Sequence, residues 1–114
     1  MYALKNKVQL IGNLGNAPEI KNTKSGKKLA RFSIATNENY RNAKGEKVTE
    51  TTWHNLVAWG KVADLAEKFL QKGTEVVIEG KLINRSYTDK DGIKKYISEV
   101  QVNELLLLNG KPQA

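Results

Sequence analysis

The residues that could carry chemistry are, first, two tryptophans that alternate with other side chains along one segment. In an extended chain successive side chains point to opposite faces, so Trp53, Asn55, Val57 and Trp59 share one face. An amide beside two indoles is unusual for a purely apolar core face. The alternative interpretation, that both tryptophans lie in the core of a β-domain, is common for such residues and stays open on these positions alone.

Two tyrosines stand beside cations. Tyr87 shares a predicted strand face with Lys81 and Arg85, and Tyr40 is next to Arg41. Aromatic rings offer stacking surfaces to nucleobases and cations neutralise phosphates, and neither contact reads sequence. The pattern predicts a single-stranded nucleic-acid site with stacking residues Tyr40, Trp53, Trp59 and Tyr87. We assign Arg41, Lys81 and Arg85 to phosphate contacts.

Strands are needed to align these residues, and five runs with strand patterns are predicted. They cover residues 5–14, 29–37, 48–59, 74–87 and 94–108. Ala30, Phe32 and Ile34 are expected to face the core. Gly80 predicts a bulge or bend, and Asp91-Gly92 predicts a hairpin. Residues 38–50, which include Tyr40, are interpreted as a long polar loop, with lysine-bearing hairpin tips at 24–28 and 44–47.

One helix is predicted between the third and fourth strands. Apolar residues from Val62 to Leu70, including Leu65 and Phe69, recur at the spacing of one helix face, and Gly73 is expected to cap the helix. Five strands with one α-helix between strands 3 and 4 are the components of the oligonucleotide-binding (OB) barrel. The predicted fold is therefore all-β, a five-stranded OB-fold barrel.

Length and composition indicate one basic domain. The chain has 114 residues and a formal net charge of +7, which favours a polyanionic partner, although a well-solvated surface would also explain the charge. Residues 1–108 are predicted to form the OB-fold domain that carries the single-stranded nucleic-acid site, and 109–114 the start of a flexible C-terminal tail. The longest apolar run, 105–108, is far shorter than the roughly 20 residues that span a bilayer, so no membrane association is expected.

The sequence lacks the groups of residues that common catalytic and metal sites need. The sequence has no cysteine and one histidine, and it shows no clustered carboxylates and no glycine-rich phosphate loop. We therefore predict no enzyme activity, no catalytic residue, no metal site and no cofactor. A single His is more often a packing or hydrogen-bonding residue than a ligand.

Seven short motifs run in order along the chain from Asn6 to near Leu108. They are Asn6-Lys7-Val8, Gly12-Asn13-Leu14-Gly15, Trp53-His54-Asn55, Gly60-Lys61, Leu70-Gln71-Lys72-Gly73, Glu79-Gly80-Lys81-Leu82 and Tyr87-Thr88-Asp89. Together they resemble the bacterial single-stranded DNA-binding protein (SSB) family. Several motifs in register are more specific than any one of them.

The resemblance implies a homotetramer of OB-folds around which single-stranded DNA wraps. The tetramer would protect this DNA during replication, recombination and repair in the bacterial cytoplasm. It implies base stacking on the same four aromatic positions. Tyr40 and Tyr87 stand where the family often has Trp, so stacking there is expected to be weaker. The resemblance also implies a subunit-interface position for His54, and phosphate contacts by Lys7, Lys61, Lys72 and Arg85.

The family usually continues through a Gly-, Pro- and Gln-rich linker to an acidic tail that recruits other proteins. Replication and repair proteins are therefore expected as partners only if such a tail exists beyond Ala114. Two other functions stay open. An OB-fold adaptor of the primosome type would act through protein contacts and lack stacking residues, whereas a single-stranded RNA binder would use the same stacking and phosphate contacts.

Overall fold

The computed structural model describes residues 5–108, which form six strands and one helix. In chain order they are β1 (Val8–Leu14), β2 (Glu19–Asn22), β3 (Lys28–Arg41), β4 (Lys47–Trp59), α1 (Gly60–Phe69), β5 (Glu75–Thr88) and β6 (Lys94–Leu107). The predicted tail, 109–114, lies outside the described residues, as do residues 1–4. Within the described range no helix is long and apolar enough to cross a membrane.

Five of the strands close into a barrel. They are hydrogen-bonded in the order β1-β5-β6-β4-β3, and β3 returns to β1 through the pairs Asn13–Ala35 and Leu14–Ile34. Every pairing is antiparallel except that of β4 with β6. In chain order α1 lies between β4 and β5, which are the third and fourth of the five barrel strands, so the predicted OB-fold barrel is confirmed. The sequence prediction missed β2, which pairs with β3 outside the ring.

The barrel interior is filled by alternate side chains of its strands. Ala30, Phe32 and Ile34 are buried, as the alternation predicted, and Leu56 and Ile78 meet them from other strands. Each fully buried aliphatic side chain contributes roughly 1.5–3 kcal/mol through removal of apolar surface from water. This core fixes the pleat of β3 and β4, and thereby decides which of their side chains point outward.

The helix buries a narrower face than predicted. Ala63 and Ala66 are fully buried against the barrel end, whereas Leu65 and Phe69 are exposed. Alanine lets the helix backbone approach the strands closely, because its side chain is only a methyl group. Val62, also part of the predicted face, is partly buried against the core, so only Leu65 and Phe69 of the longer apolar side chains are turned away from the barrel.

Two glycines serve backbone geometry at different places. Gly80 lies at a register shift between β5 and β6, as predicted, and a Cβ there would collide with the backbone of Gln101. Gly73 does not cap the helix, because α1 ends at Phe69 and Leu70 is already extended. The positive φ of Gly73, 89°, instead serves the turn that leads into β5.

The prediction of a long loop over residues 38–50 is wrong. β3 and β4 remain paired in one unbroken register as far as Arg41 and Lys47, and the two strands form a ribbon that ends in the turn 42–46. Two threonine hydroxyls donate to asparagine Oδ1 atoms across the ribbon at 2.7 Å, in the pairs Thr51–Asn37 and Thr49–Asn39. These cross-strand pairs stabilise the end of β3, where asparagine and glutamate have low β-propensity.

Candidate nucleic-acid interface

One face of the barrel, here called the outer face, carries most of the predicted site. Arg31, Val57, Gln101 and Lys81 lie side by side across β3, β4, β6 and β5. Residues paired across neighbouring strands point to the same face of the sheet, and so do residues two apart on one strand. The outer face therefore extends in both directions along the strands. It comprises Arg31, Ser33, Ala35, Trp53, Asn55, Val57, Trp59, Lys81, Ile83, Arg85, Tyr87, Glu99 and Gln101.

Three of the four predicted stacking residues lie on the outer face with their rings accessible. Trp53 is 58% exposed, Trp59 39% and Tyr87 46%. The alternative that both tryptophans belong to the core is therefore wrong. An indole or phenol left this open to water at a folded surface has lost much of the apolar burial available to it, and a nucleobase could supply that contact.

The two indoles are supported at opposite ends of the face. A methyl group built on Gly15 would lie 2.6 Å from Cζ3 and 2.9 Å from Cη2 of Trp53, so that ring packs directly over the glycine. Trp59 instead lines an open groove with Thr23, Ser25 and Lys27 of the β2–β3 turn. This turn is one of the predicted lysine-bearing tips, and it lies beside the second ring.

Tyr40 occupies a different position from the other three rings. It lies on the ribbon, where strand alternation assigns it to the set of side chains opposite that of Trp53. Its hydroxyl donates to Glu50 Oε1 at 3.4 Å. The neighbouring Arg41 belongs to the same set as Trp53, and its Nη1 donates to the Gly45 carbonyl at the ribbon tip. The structure therefore groups three of the predicted rings and leaves Tyr40 on the ribbon.

The predicted phosphate contacts fall around this face. Lys81 lies on it, and Lys61 is in the first turn of α1, two residues beyond Trp59. Lys72 lies in the turn after α1, next to the Gly73 N–H that donates to the Leu14 carbonyl. That contact brings the turn near Gly15 and hence near the Trp53 end.

Two of the predicted contacts already have a carboxylate partner. Lys7 Nζ lies 3.5 Å from Glu79 Oε2 near the start of β1, where both side chains are partly exposed. Arg85 Nε donates to Glu99 Oε1 at 2.7 Å, and Arg85 Nη2 lies 3.4 Å from Oε2. An exposed pair such as Lys7–Glu79 contributes about 0–1 kcal/mol and can exchange its partner for a phosphate.

Glu99 is the buried carboxylate of the outer face. It is 4% exposed and accepts from Arg85 and from Arg31, whose Nη1 lies 2.8 Å from Oε2. Burial favours protonation of this carboxyl, but the hydrogen bonds and charges of the two guanidinium groups outweigh it, so the pKa of Glu99 lies below its usual range. The carboxylate is therefore ionised at neutral pH and holds both arginines.

His54 lies on the opposite side of the sheet. It pairs with the core residue Ile34, and its Nε2 is 3.0 Å from Thr36 Oγ1. It also lines an open groove with the β1 residues Gln9 and Ile11, and the Ile11 side chain is exposed. This surface is separate from the three grouped rings, Trp53, Trp59 and Tyr87.

Sequence reasoning missed Arg31 and the supporting role of Gly15. The alternation did place Arg31 outward, away from Phe32, and that was a signal for a surface cation. No local signal indicated that Glu99 would lie beside it, because the contact depends on how β6 meets β4. Among residues 5–108 no group of three or more His, Asp or Glu side chains is arranged to hold a metal ion.

Comparison with known proteins agrees with this geometry. The model of the single-strand binding protein family matches residues 5–108. A single-stranded DNA-binding protein 1 from Chlorobaculum tepidum is 45% identical over 107 residues, which cover 93% of this chain and 66% of the relative. A single-stranded DNA-binding protein from Xanthomonas campestris pv. campestris is 40% identical over 106 residues, covering 93% and 62%.

A solved structure shows the same fold. It is described as the Plasmodium falciparum SSB complex with ssDNA, and it superposes with a TM-score of 0.84 at 35% identity, covering 91% of this chain and 95% of that one. The present chain spans slightly less than two thirds of the length of the curated relatives. On the family match and these identities, the chain belongs to the single-strand binding protein family.

Proposed function

We propose that this chain binds single-stranded DNA without sequence preference, through base stacking and phosphate neutralisation. The observation that carries the proposal is the outer face itself, where Trp53, Trp59 and Tyr87 stand exposed among Lys81 and two arginines. Bases of any sequence present a π-face, so rings of this kind bind a strand without reading its base edges. The names of the relatives and the DNA in the Plasmodium complex support the same chemistry.

In this mechanism the strand crosses the outer face over the three grouped rings. Tyr40 provides a fourth stacking position where the DNA continues along the ribbon and passes to its opposite face. Phosphates are neutralised by the cations at the edges of this path, which are Lys7, Arg41, Lys61, Lys72, Lys81 and Arg85. In this mechanism the rings contact base faces and the cations contact phosphates, so neither contact reads base edges and the affinity is set by the length of the DNA and by salt.

The proposal includes assembly and cellular role. Four copies form a homotetramer through the surface that contains His54 and the exposed Ile11, which lies away from the rings of Trp53, Trp59 and Tyr87. Residues 1–108 constitute the binding domain. The role is non-enzymatic protection of single-stranded DNA during replication, recombination and repair in a bacterial cytoplasm, in keeping with the bacterial relatives.

Tryptophan fluorescence provides the direct test. Titration with oligo-dT, an RNA of equal length and duplex DNA should quench emission strongly for the first, because bases stack on Trp53 and Trp59. Preference for RNA would favour the RNA-binding alternative, and no quenching by any polymer would favour a protein-binding adaptor. A solution mass of one protomer would contradict the tetramer but not the stacking.

Salt dependence tests the electrostatic half of the proposal. For a single strand the logarithm of the affinity should fall with the logarithm of salt concentration, with a slope of about −0.7 for each phosphate neutralised. An affinity that does not change between 50 mM and 200 mM salt would contradict the proposed phosphate contacts.

A further inference from the structure

The outer face contains a cation that the stacking and phosphate assignments above do not use. Arg31 is held by Glu99 through one hydrogen bond of 2.8 Å, and its side chain is 35% exposed. A guanidinium carries five N–H donors in a rigid fork. One of them is donated to Glu99, so four are left for a ligand among the described contacts of Arg31.

The position of Arg31 lies between the two indoles. On β3 it is two residues from Leu29, the partner of Trp59, and four residues from Ala35, the partner of Trp53. At about 3.3 Å per residue these offsets are roughly 7 Å and 13 Å along the strand. A polymer that stacks bases on both rings therefore has its backbone within reach of this part of the face.

A groove of about 370 Å³ opens at the same place. It is lined by Arg31, Ser33, Asn55 and Glu99 from the sheet and by Asn16 and Glu19 from the segment before and at the start of β2. Glu19 is the strand partner of Arg31, but its carboxylate lies 3.7 Å from Lys21 Nζ. The groove therefore offers a guanidinium edge with polar neighbours.

The charges at this site sum to an attraction for anions. Arg31, Arg85 and Lys21 together carry three positive charges, and the carboxylates of Glu19 and Glu99 carry two negative ones, which leaves a net charge of +1. Glu99 is buried beneath the two guanidinium groups, which are themselves partly exposed. A phosphate arriving from solvent meets the N–H donors before the carboxylate. Contacts of a guanidinium with phosphate are charge-assisted and stronger than neutral hydrogen bonds.

We propose that Arg31 is a phosphate-binding residue of this site, held in place by Glu99 between the Trp53 and Trp59 stacking positions. The proposal rests on the proposed function, since it names one more contact made to the same bound strand. Under this proposal Arg31 binds a phosphate of the DNA, and does not merely neutralise the buried carboxylate of Glu99.

The test compares the salt dependence of oligo-dT affinity for the wild-type protein, Arg31→Ala and the double variant Arg31→Ala/Glu99→Gln. If Arg31 contacts phosphate, both variants should lose about 0.7 from the magnitude of the slope. Between 50 mM and 200 mM salt, this loss makes the fall in affinity about 2.5-fold smaller. Lys68→Ala removes one charge from the exposed last turn of α1 and should leave the slope unchanged.

A wild-type slope in the double variant would overturn the proposal, because it would mean that Arg31 acts only by neutralising Glu99. Arg31→Gln keeps an amide donor toward Glu99 and replaces Arg31→Ala if the alanine variant does not fold, as judged by circular dichroism. Failure of the wild-type protein to bind oligo-dT would instead refute the proposed function. Wild-type binding with unchanged slopes in the Arg31 variants would refute this inference alone.

Discussion

Replacing Gly15 by alanine should displace the Trp53 indole and weaken binding of single-stranded DNA while leaving the barrel folded. The new Cβ would lie 2.6 Å from Trp53 Cζ3, whereas carbon atoms pack at about 3.5–4.0 Å, so the ring must retreat by about 1 Å. Gly15 does not have a positive φ, and its N–H donates to the Ser33 carbonyl in a geometry that alanine can keep.

The size of the effect follows from the stacking contact at stake. A base stacked on an aromatic side chain contributes about 1–3 kcal/mol. A ring that is shifted rather than removed should lose part of this energy, about 1 kcal/mol, which raises Kd roughly 5-fold. Trp53 is largely exposed and can move toward solvent, so we expect the free energy of unfolding to change by no more than about 0.5 kcal/mol.

The assay is a quenching titration with oligo-dT in a Trp59→Phe background, where Trp53 is the only indole of the chain. Gly15→Ala should lower both the affinity and the quenching amplitude. In a Trp53→Ala background the same glycine substitution should have no further effect, because the ring it displaces is gone. An equal loss of affinity in that background, or unchanged binding and quenching in the first, would refute the reasoning.

Three further predictions concern stability. Ile34→Ala should cost about 2–5 kcal/mol in urea denaturation, because Ile34 is fully buried, and a cost under 1 kcal/mol would contradict its core position. Gly80→Ala should lower the melting temperature, with a cost of about 1–3 kcal/mol, since its Cβ meets the Gln101 backbone; an unchanged melting temperature would show that the bulge relaxes freely. Because the pKa of Glu99 is lowered in the folded protein, ionised Glu99 stabilises the fold. This stabilisation is fully present above the ordinary glutamate pKa of about 4.3 and is lost as the pH falls through the pKa of Glu99 in the folded protein. Glu99→Gln should therefore destabilise the protein at pH 7 and converge with the wild type under acid, and a gap that stays constant with pH would count against this.

Much of the fold could be predicted because it depends on alternation within single strands. Phe32 and Ile34 had to face one way and Trp53 and Trp59 another, whatever the partner strands were. Gly80 marked its bulge because few other residues tolerate such a close approach of two backbones. These features require only the local sequence and the period of an extended chain.

Other features depend on which strands meet, and the sequence carries no local signal for that. The ribbon of β3 and β4 from residue 37 onward is mostly polar. Its two strands pair because Asn37 and Asn39 each accept a hydrogen bond from the threonine directly opposite. The position of Tyr40 away from Trp53 follows from the length of that ribbon. Arg31 could be assigned to the surface, but its contact with Glu99 arises only when the parallel pairing of β4 and β6 is formed.

The placement of β2 outside the barrel has a consequence for self-association. It is four residues long and pairs with β3 alone, so among the described residues its second edge offers unpaired backbone groups to any other extended chain. Glu19 and Lys21 put charges of both signs on this short edge, and Asn22 ends it. Short, charged edges resist indiscriminate strand addition, so replacing Glu19 and Lys21 by valine should promote aggregation at concentrations where the unaltered protein stays dispersed.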